Sequence, residues 1–104
     1  MALPRAPRQF TATNTGHLAI LLQWWVVPNA TGYHVYVGTD PDSLSLAATL
    51  VGKTQNSITL RATNWTNYWA AVAAYNSNGE GEQTATVKCL AAVTNTVPDD
   101  WTGV

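Results

Sequence analysis

The side chains able to do acid–base or nucleophilic chemistry are few: two imidazoles, His17 and His34, one thiol, Cys89, and six carboxylates, Asp40, Asp42, Glu80, Glu82, Asp99 and Asp100. A Ser or Cys nucleophile needs a base within hydrogen-bonding reach. His17 falls where a hairpin is expected and His34 on the exterior of a strand, so neither is placed to activate one. Asp40 and Asp42 flank Pro41 in a turn, where Asp side chains bond to nearby backbone. Calcium binding there would need several more oxygen ligands than the stretch supplies. Glu80 and Glu82 read as solvated hairpin positions rather than an acid/base pair. Gly79-Glu80-Gly81 follows a strand but opens no helix, so it is no phosphate cradle. The expectation is a non-enzymatic chain with no metal and no cofactor. Two sequons, Asn29-Ala30-Thr31 and Asn64-Trp65-Thr66, matter only in a glycosylating pathway. With no secretory signal in the opening residues, they read as chance.

Composition narrows the class further. A chain of 104 residues has room for one domain of ordinary size. Apolar residues make up 46%, with five Trp, enough to build a core and incompatible with an intrinsically disordered chain. Charged residues are only 11%, against roughly 25% in typical soluble domains, which suits a surface packed against others. Net charge is −1 with five Lys or Arg, leaving no basic stripe for nucleic acid. The lone Cys89 makes no internal disulfide; a buried reduced thiol and an intermolecular bridge are the two readings. The opening Met1-Ala2-Leu3-Pro4-Arg5-Ala6-Pro7-Arg8 lacks the apolar run of a signal peptide. No window approaches the roughly 20 apolar residues that cross a bilayer, so no membrane partner is expected.

The elements that position these groups are strands. Runs rich in Val, Ile, Leu, Thr, Trp and Tyr are separated by Gly, Pro, Asn and Asp clusters at intervals of roughly 8–12 residues. Strands are expected at 10–14, 18–26, 32–37, 47–51, 57–60, 68–75 and 84–89. Seven of them in one domain is the immunoglobulin-like count. Asn78-Gly79 marks a tight hairpin. The Ala-rich stretch 70–74 is a strand rather than a helix, because Tyr68, Ala70, Val72 and Ala74 share one face at period two. Pro4 and Pro7 favour an extended start. The expected organisation is an N-terminal arm over 1–6, a β-sandwich over 7–90 and a C-terminal arm over 91–104.

Across about residues 7–90 the chain resembles the fibronectin type III family. Leu22-Gln23-Trp24 leads through Pro28 to Gly32-Tyr33-His34-Val35-Tyr36-Val37, similar to the family's core Trp and core Tyr on the second and third strands. The stretch from Tyr68 through Tyr75 to Asn78-Gly79-Glu80-Gly81-Glu82 is similar to its sixth strand and Gly-rich hairpin. The resemblance implies an all-β, seven-stranded immunoglobulin-like sandwich and makes Tyr68 the tyrosine-corner residue. Alternation places Ile20, Leu22 and Trp24 on one inner face, Tyr33, Val35 and Val37 on the other, with Ile58, Leu60, Ala85, Val87 and Cys89 joining them. Two departures stand out. Ala62 replaces the family's usual Leu, leaving a space for Trp65, and the integrin-binding Arg-Gly-Asp tripeptide of some members is missing from the 76–82 hairpin.

If Tyr68, Ala70, Val72 and Ala74 face the core, Trp69, Ala71, Ala73 and Tyr75 face outward. His34 and Tyr36 of the third strand join them in a flat patch bounded by Thr86 and Lys88. That patch either receives a partner or is covered by the segment 90–101. Trp25, pushed outward by Trp24, and Trp101 in the last segment are further partner candidates. Arg5 and Arg8 near one end and Asp99 and Asp100 near the other could attract between neighbouring copies. The leading expectation is a structural subunit of a phage or phage-like virion (capsid decoration, neck or tail) packing against other subunits, copies of itself included. The alternatives are an extracellular or cell-surface carbohydrate-binding or adhesion module, with Trp25, Trp65, Trp69 or Trp101 stacking on sugar rings, and a spacer or engineered binding scaffold.

Overall fold

The structure, a computed structural model, describes residues 3–16, 18–62 and 66–91. Eight strands follow in order: β1 Thr11–Asn14, β2 Ala19–Gln23, β3 Gly32–Gly38, β4 Ser45–Val51, β5 Ser57–Arg61, β6 Thr66–Asn76, β7 Gly79–Gln83 and β8 Val87–Ala91. One sheet runs β1-β2-β5. The other runs β4-β3-β6-β7, with β8 also paired to β6. Every pairing is antiparallel. This is the two-layer arrangement that the alternating pattern requires, because each sheet has one apolar face to bury. No helix among the described residues is long and apolar enough to cross a membrane.

The last strand differs from expectation. Where one strand was expected over 84–89, two strands pair with β6 on either side of residues 84–86. At the break, the Thr84 amide donates to the Val72 carbonyl at 2.9 Å, while the Val72 amide donates to the Thr84 hydroxyl at 3.1 Å. A side-chain oxygen thus replaces the backbone acceptor, and the ladder loses its register there. As a result Ala85, expected inside, is exposed, while Cys89 is buried and Val87 packs against the core. Burial pushes the Cys89 thiol above its ordinary pKa, away from the thiolate that a reactive cysteine needs.

The core joins the two sheets through Ile20, Leu22 and Trp24 on one side and Tyr33, Val35, Ala70, Val72, Ala74 and Cys89 on the other. Phe10, Ile58, Leu60, Ala62 and Tyr68 pack against it. Trp65 and His17 lie outside the described residues. The Trp24 ring meets Tyr33 edge-on at 5.4 Å, a geometry favoured by the ring quadrupoles. The Trp24 Nε1–H is buried without a partner among the described residues, a cost of roughly 1–3 kcal/mol that the packing of the indole has to offset.

Tyr33 does more than fill space. Its hydroxyl accepts from the Val27 amide at 2.9 Å and donates to the Lys53 carbonyl at 2.7 Å. One buried side chain therefore satisfies groups on the loop after β2 and the loop after β4. The N-terminal stretch is tied down as well. The Arg8 carbonyl accepts from the Trp25 amide at 2.9 Å, Pro4 and Pro7 are buried, and a Cβ at Gly81 would collide with the Pro4 carbonyl oxygen. Gly81 thus lets the chain lie directly against β7, an approach that a side chain there would block.

Tyr33→Phe should lower stability by about 1–3 kcal/mol, because it leaves the Val27 N–H and Lys53 C=O without their shared partner. Urea denaturation with an unchanged m-value would measure this. A loss under about 0.5 kcal/mol would mean that the two loops find other partners.

Candidate interaction surface

The pairing of β3 with β6 sets the surface. Its register runs Gly32↔Tyr75, Tyr33↔Ala74, His34↔Ala73, Val35↔Val72, Tyr36↔Ala71, Val37↔Ala70 and Gly38↔Trp69. Alternate pairs face the core. Each of the outer pairs joins one ring to one Gly or Ala: Tyr75 with Gly32, His34 with Ala73, Tyr36 with Ala71 and Trp69 with Gly38. A ring opposite a small residue has room to lie down over the sheet rather than stand away from it.

Gly32 shows this directly. A Cβ there would collide with both the Tyr75 hydroxyl and the Leu50 carbonyl oxygen, and the Tyr75 hydroxyl donates to that carbonyl at 3.2 Å. The Tyr75 ring therefore crosses β3 to reach β4. His34 stacks on it, with centroids 4.5 Å apart and planes 22° from parallel. The ring of Tyr36 follows edge-on to His34 at 6.4 Å.

Glu80, read from the sequence as a solvated hairpin position, completes the cluster. Asn76 pairs with Gly79 across a tight turn, which puts Glu80 opposite Tyr75 and on its face. From β7 its carboxylate reaches over β6 to β3, a span of two strand spacings or roughly 9.5 Å. There Oε2 lies 2.9 Å from His34 Nδ1 and accepts a hydrogen bond from the Tyr36 hydroxyl. This crossing passes above the two alanines and explains a correction: Ala71 and Ala73, expected as open positions of a flat patch, have no solvent exposure.

Glu80 and Tyr36 keep their protonation states near neutral pH. Burial pushes the Glu80 carboxyl up, but the hydrogen bonds from Tyr36 and His34 and the charge of His34 together hold it below its ordinary value. Tyr36 is pushed up to about 12 by its bond to Glu80, by burial and by the Glu80 charge. An ionised carboxylate has no proton to give, so His34 Nδ1 carries the one between them. With the acid held low and the phenol held high, neither Glu80 nor Tyr36 is tuned for proton transfer near neutrality. Among the described residues, no group of three or more His, Cys, Asp or Glu side chains could hold a metal ion.

The borders of this face are of two kinds. Toward β8, Lys88 is paired with Trp69 and its Nζ stands 5.5 Å from the ring centroid, so Trp69 is half-buried under a cation. Toward β4 the face is open. Leu46 opposite Tyr36 and Val51 opposite Gly32 are 54% and 79% exposed. Neither was singled out from the sequence. The irregularity between Val35 and Tyr36 shifts the alternation of β4, so that Leu46 and Val51, an odd number of residues apart, come to one face.

The other candidates gather elsewhere. Trp25, Arg5 and Arg8 line one groove of about 260 Å³ with Val26, Val27 and Pro28, beyond the end of β2 and away from the outer face of β3 and β6. Trp25 and Trp69 thus belong to different surfaces, and the single aromatic plane expected of a sugar-binding face is not formed by them. Trp101, Asp99 and Asp100 lie outside the described residues.

Stability should fall between pH 10 and about 12, because the folded chain keeps the Tyr36 proton that the unfolded chain loses. The same linkage, with opposite sign, removes the Glu80 contribution as pH falls through its depressed folded value. Tyr36→Phe should abolish the alkaline part. Thermal melts across this range, paired with ultraviolet titration of the phenols, would check it; equal alkaline slopes for both proteins would contradict the Tyr36–Glu80 bond.

No protein-family model matches the chain, and no curated protein matches it. Solved structures do. The sixth fibronectin type III domain of human fibronectin type III domain containing protein 3 is similar at 17% identity and a TM-score of 0.75, covering 95% of each chain. The chicken CNTN1 FN1–FN3 domains are similar at 20% identity and a TM-score of 0.74, over 86% of this chain and 33% of that one. A myokine is similar at 20% identity and a TM-score of 0.71, over 86% and 98%. These neighbours correct the virion location expected from the sequence, since they are a myokine and modules of a chicken and a human protein. Small size and weak charge suggested a particle subunit, but a fold of this kind serves very different settings. In its strand order, its core and its likeness to these domains, the chain has the fibronectin type III fold.

Proposed function

We propose that this chain is a non-catalytic interaction module that works outside the cell or at its surface and engages a partner protein through the outer face of β4, β3 and β6. The observation that carries this reading is the state of that face. Glu80 is already satisfied by His34 and Tyr36, Tyr75 by Leu50, and beside them Leu46 and Val51 are left open. A partner landing there meets tyrosine hydroxyls that are already engaged and apolar side chains that are not. That is the composition of an interface centre: aromatic, poor in free charge and bordered by cations such as Lys88. Preorganisation adds to it, because rings held by stacking and hydrogen bonds lose little freedom on binding. The extracellular setting is supported by the similar CNTN1 and myokine structures, the first of which shows this fold as one module of a longer chain.

A photoreactive side chain at Val51 should cross-link an extracellular protein of the source organism. The same group at Thr59, on the outer face of β5, should not. Cross-links from Thr59 alone, or only to intracellular proteins from Val51, would contradict the proposal. Leu46→Glu in the chain that carries the photoreactive group at Val51 should leave stability within about 0.5 kcal/mol and abolish the cross-linked product.

A further inference from the structure

A second surface carries a different inference. Arg5 and Arg8 are both exposed, and neither has an ion-pair partner among the described residues. They flank Trp25, 60% exposed, and Val26, 40% exposed, in the groove described above. A neighbouring hollow of about 370 Å³, lined by Leu3, Arg5, Pro28 and Asn29, continues it. The surface is thus an apolar trough with two guanidiniums and no acid at its rim among the lining residues, suited to a short segment that carries carboxylates beside an aromatic ring.

The chain holds such a segment: Pro98-Asp99-Asp100-Trp101. We infer that this segment of one copy docks in the Arg5–Arg8–Trp25 groove of a second copy, joining chains head to tail. Distance argues for a second copy. Ala91 lies opposite Thr66, whereas Asn29, in the hollow that continues the groove, accepts from Asn76 Nδ2 at 3.1 Å. Thr66 and Asn76 are ten residues apart on β6, or roughly 33 Å. Asp99 is eight residues beyond Ala91 and reaches at most about 29 Å, before any length is used to turn back. The turn is needed, because β8 runs antiparallel to β6 and therefore leads away from the groove. The groove and the end of β8 lie at opposite ends of the domain, so the contact is heterologous and can repeat.

Sedimentation velocity of the full chain over a concentration series tests this. The wild type should associate with rising concentration, and less so at raised ionic strength. Arg5→Gln with Arg8→Gln, and separately Asp99→Asn with Asp100→Asn, should each weaken association on the order of tenfold while melting like the wild type. Mixed together, these two variants should form a 1:1 dimer that grows no further, since the intact segment of the first fits the intact groove of the second. A wild type that stays monomeric throughout, association unchanged by the arginine substitutions, or a mixture that forms no heterodimer would each overturn the inference.

Discussion

The register between β3 and β6 is the constraint on which the rest depends. Seven consecutive pairs assign Tyr33, Val35, Val72 and Ala74 to the core and the rings of His34, Tyr36, Trp69 and Tyr75 to the outer face in one step. Because side chains alternate with a period of two, a slip of one residue would exchange the two sets. It would also set Tyr33 opposite Tyr75 in one direction and His34 opposite Val72 in the other, where four Gly and Ala positions now make room. Core packing and surface architecture are therefore not independent features of this domain.

The outer pairs explain why a face with so many rings is not simply an open apolar patch. Gly32 allows Tyr75 to reach Leu50, Ala71 and Ala73 allow Glu80 to cross to His34 and Tyr36, and Lys88 stands over Trp69. Each contact is modest by itself, as expected for partly exposed groups. Together they fix the orientation of the rings and leave unsatisfied apolar area chiefly on the β4 side. The same economy of small residues recurs at Gly81, which lets Pro4 lie directly against β7.

Much of this was legible in the sequence, for physical reasons. The sandwich follows from alternation and turn residues: the strand over 32–37 and the buried faces of Trp24, Tyr33, Val35 and Val72 come from period two alone. What could not be read depends on local events that periodicity does not encode. The hydroxyl of Thr84 interrupts the last strand and turns Ala85 outward. The irregularity beside Tyr36 brings Leu46 and Val51 to one face. Glu80 could have been found, since a tight turn between Asn76 and Gly79 places it opposite Tyr75, but its reach across β6 depends on the alanines being small. The virion setting failed for another reason: size, charge and fold do not distinguish among the many contexts that use this module.

The β3–β6 register is tested most directly by cross-strand contacts in the nuclear Overhauser spectrum of the isolated chain. Contacts between Tyr33 and Ala74, Val35 and Val72, and Val37 and Ala70, with the His34 ring against the Tyr75 ring, are the result predicted. A ladder displaced by one residue, or a His34 ring free of Tyr75, would contradict the coupling of core and surface described here.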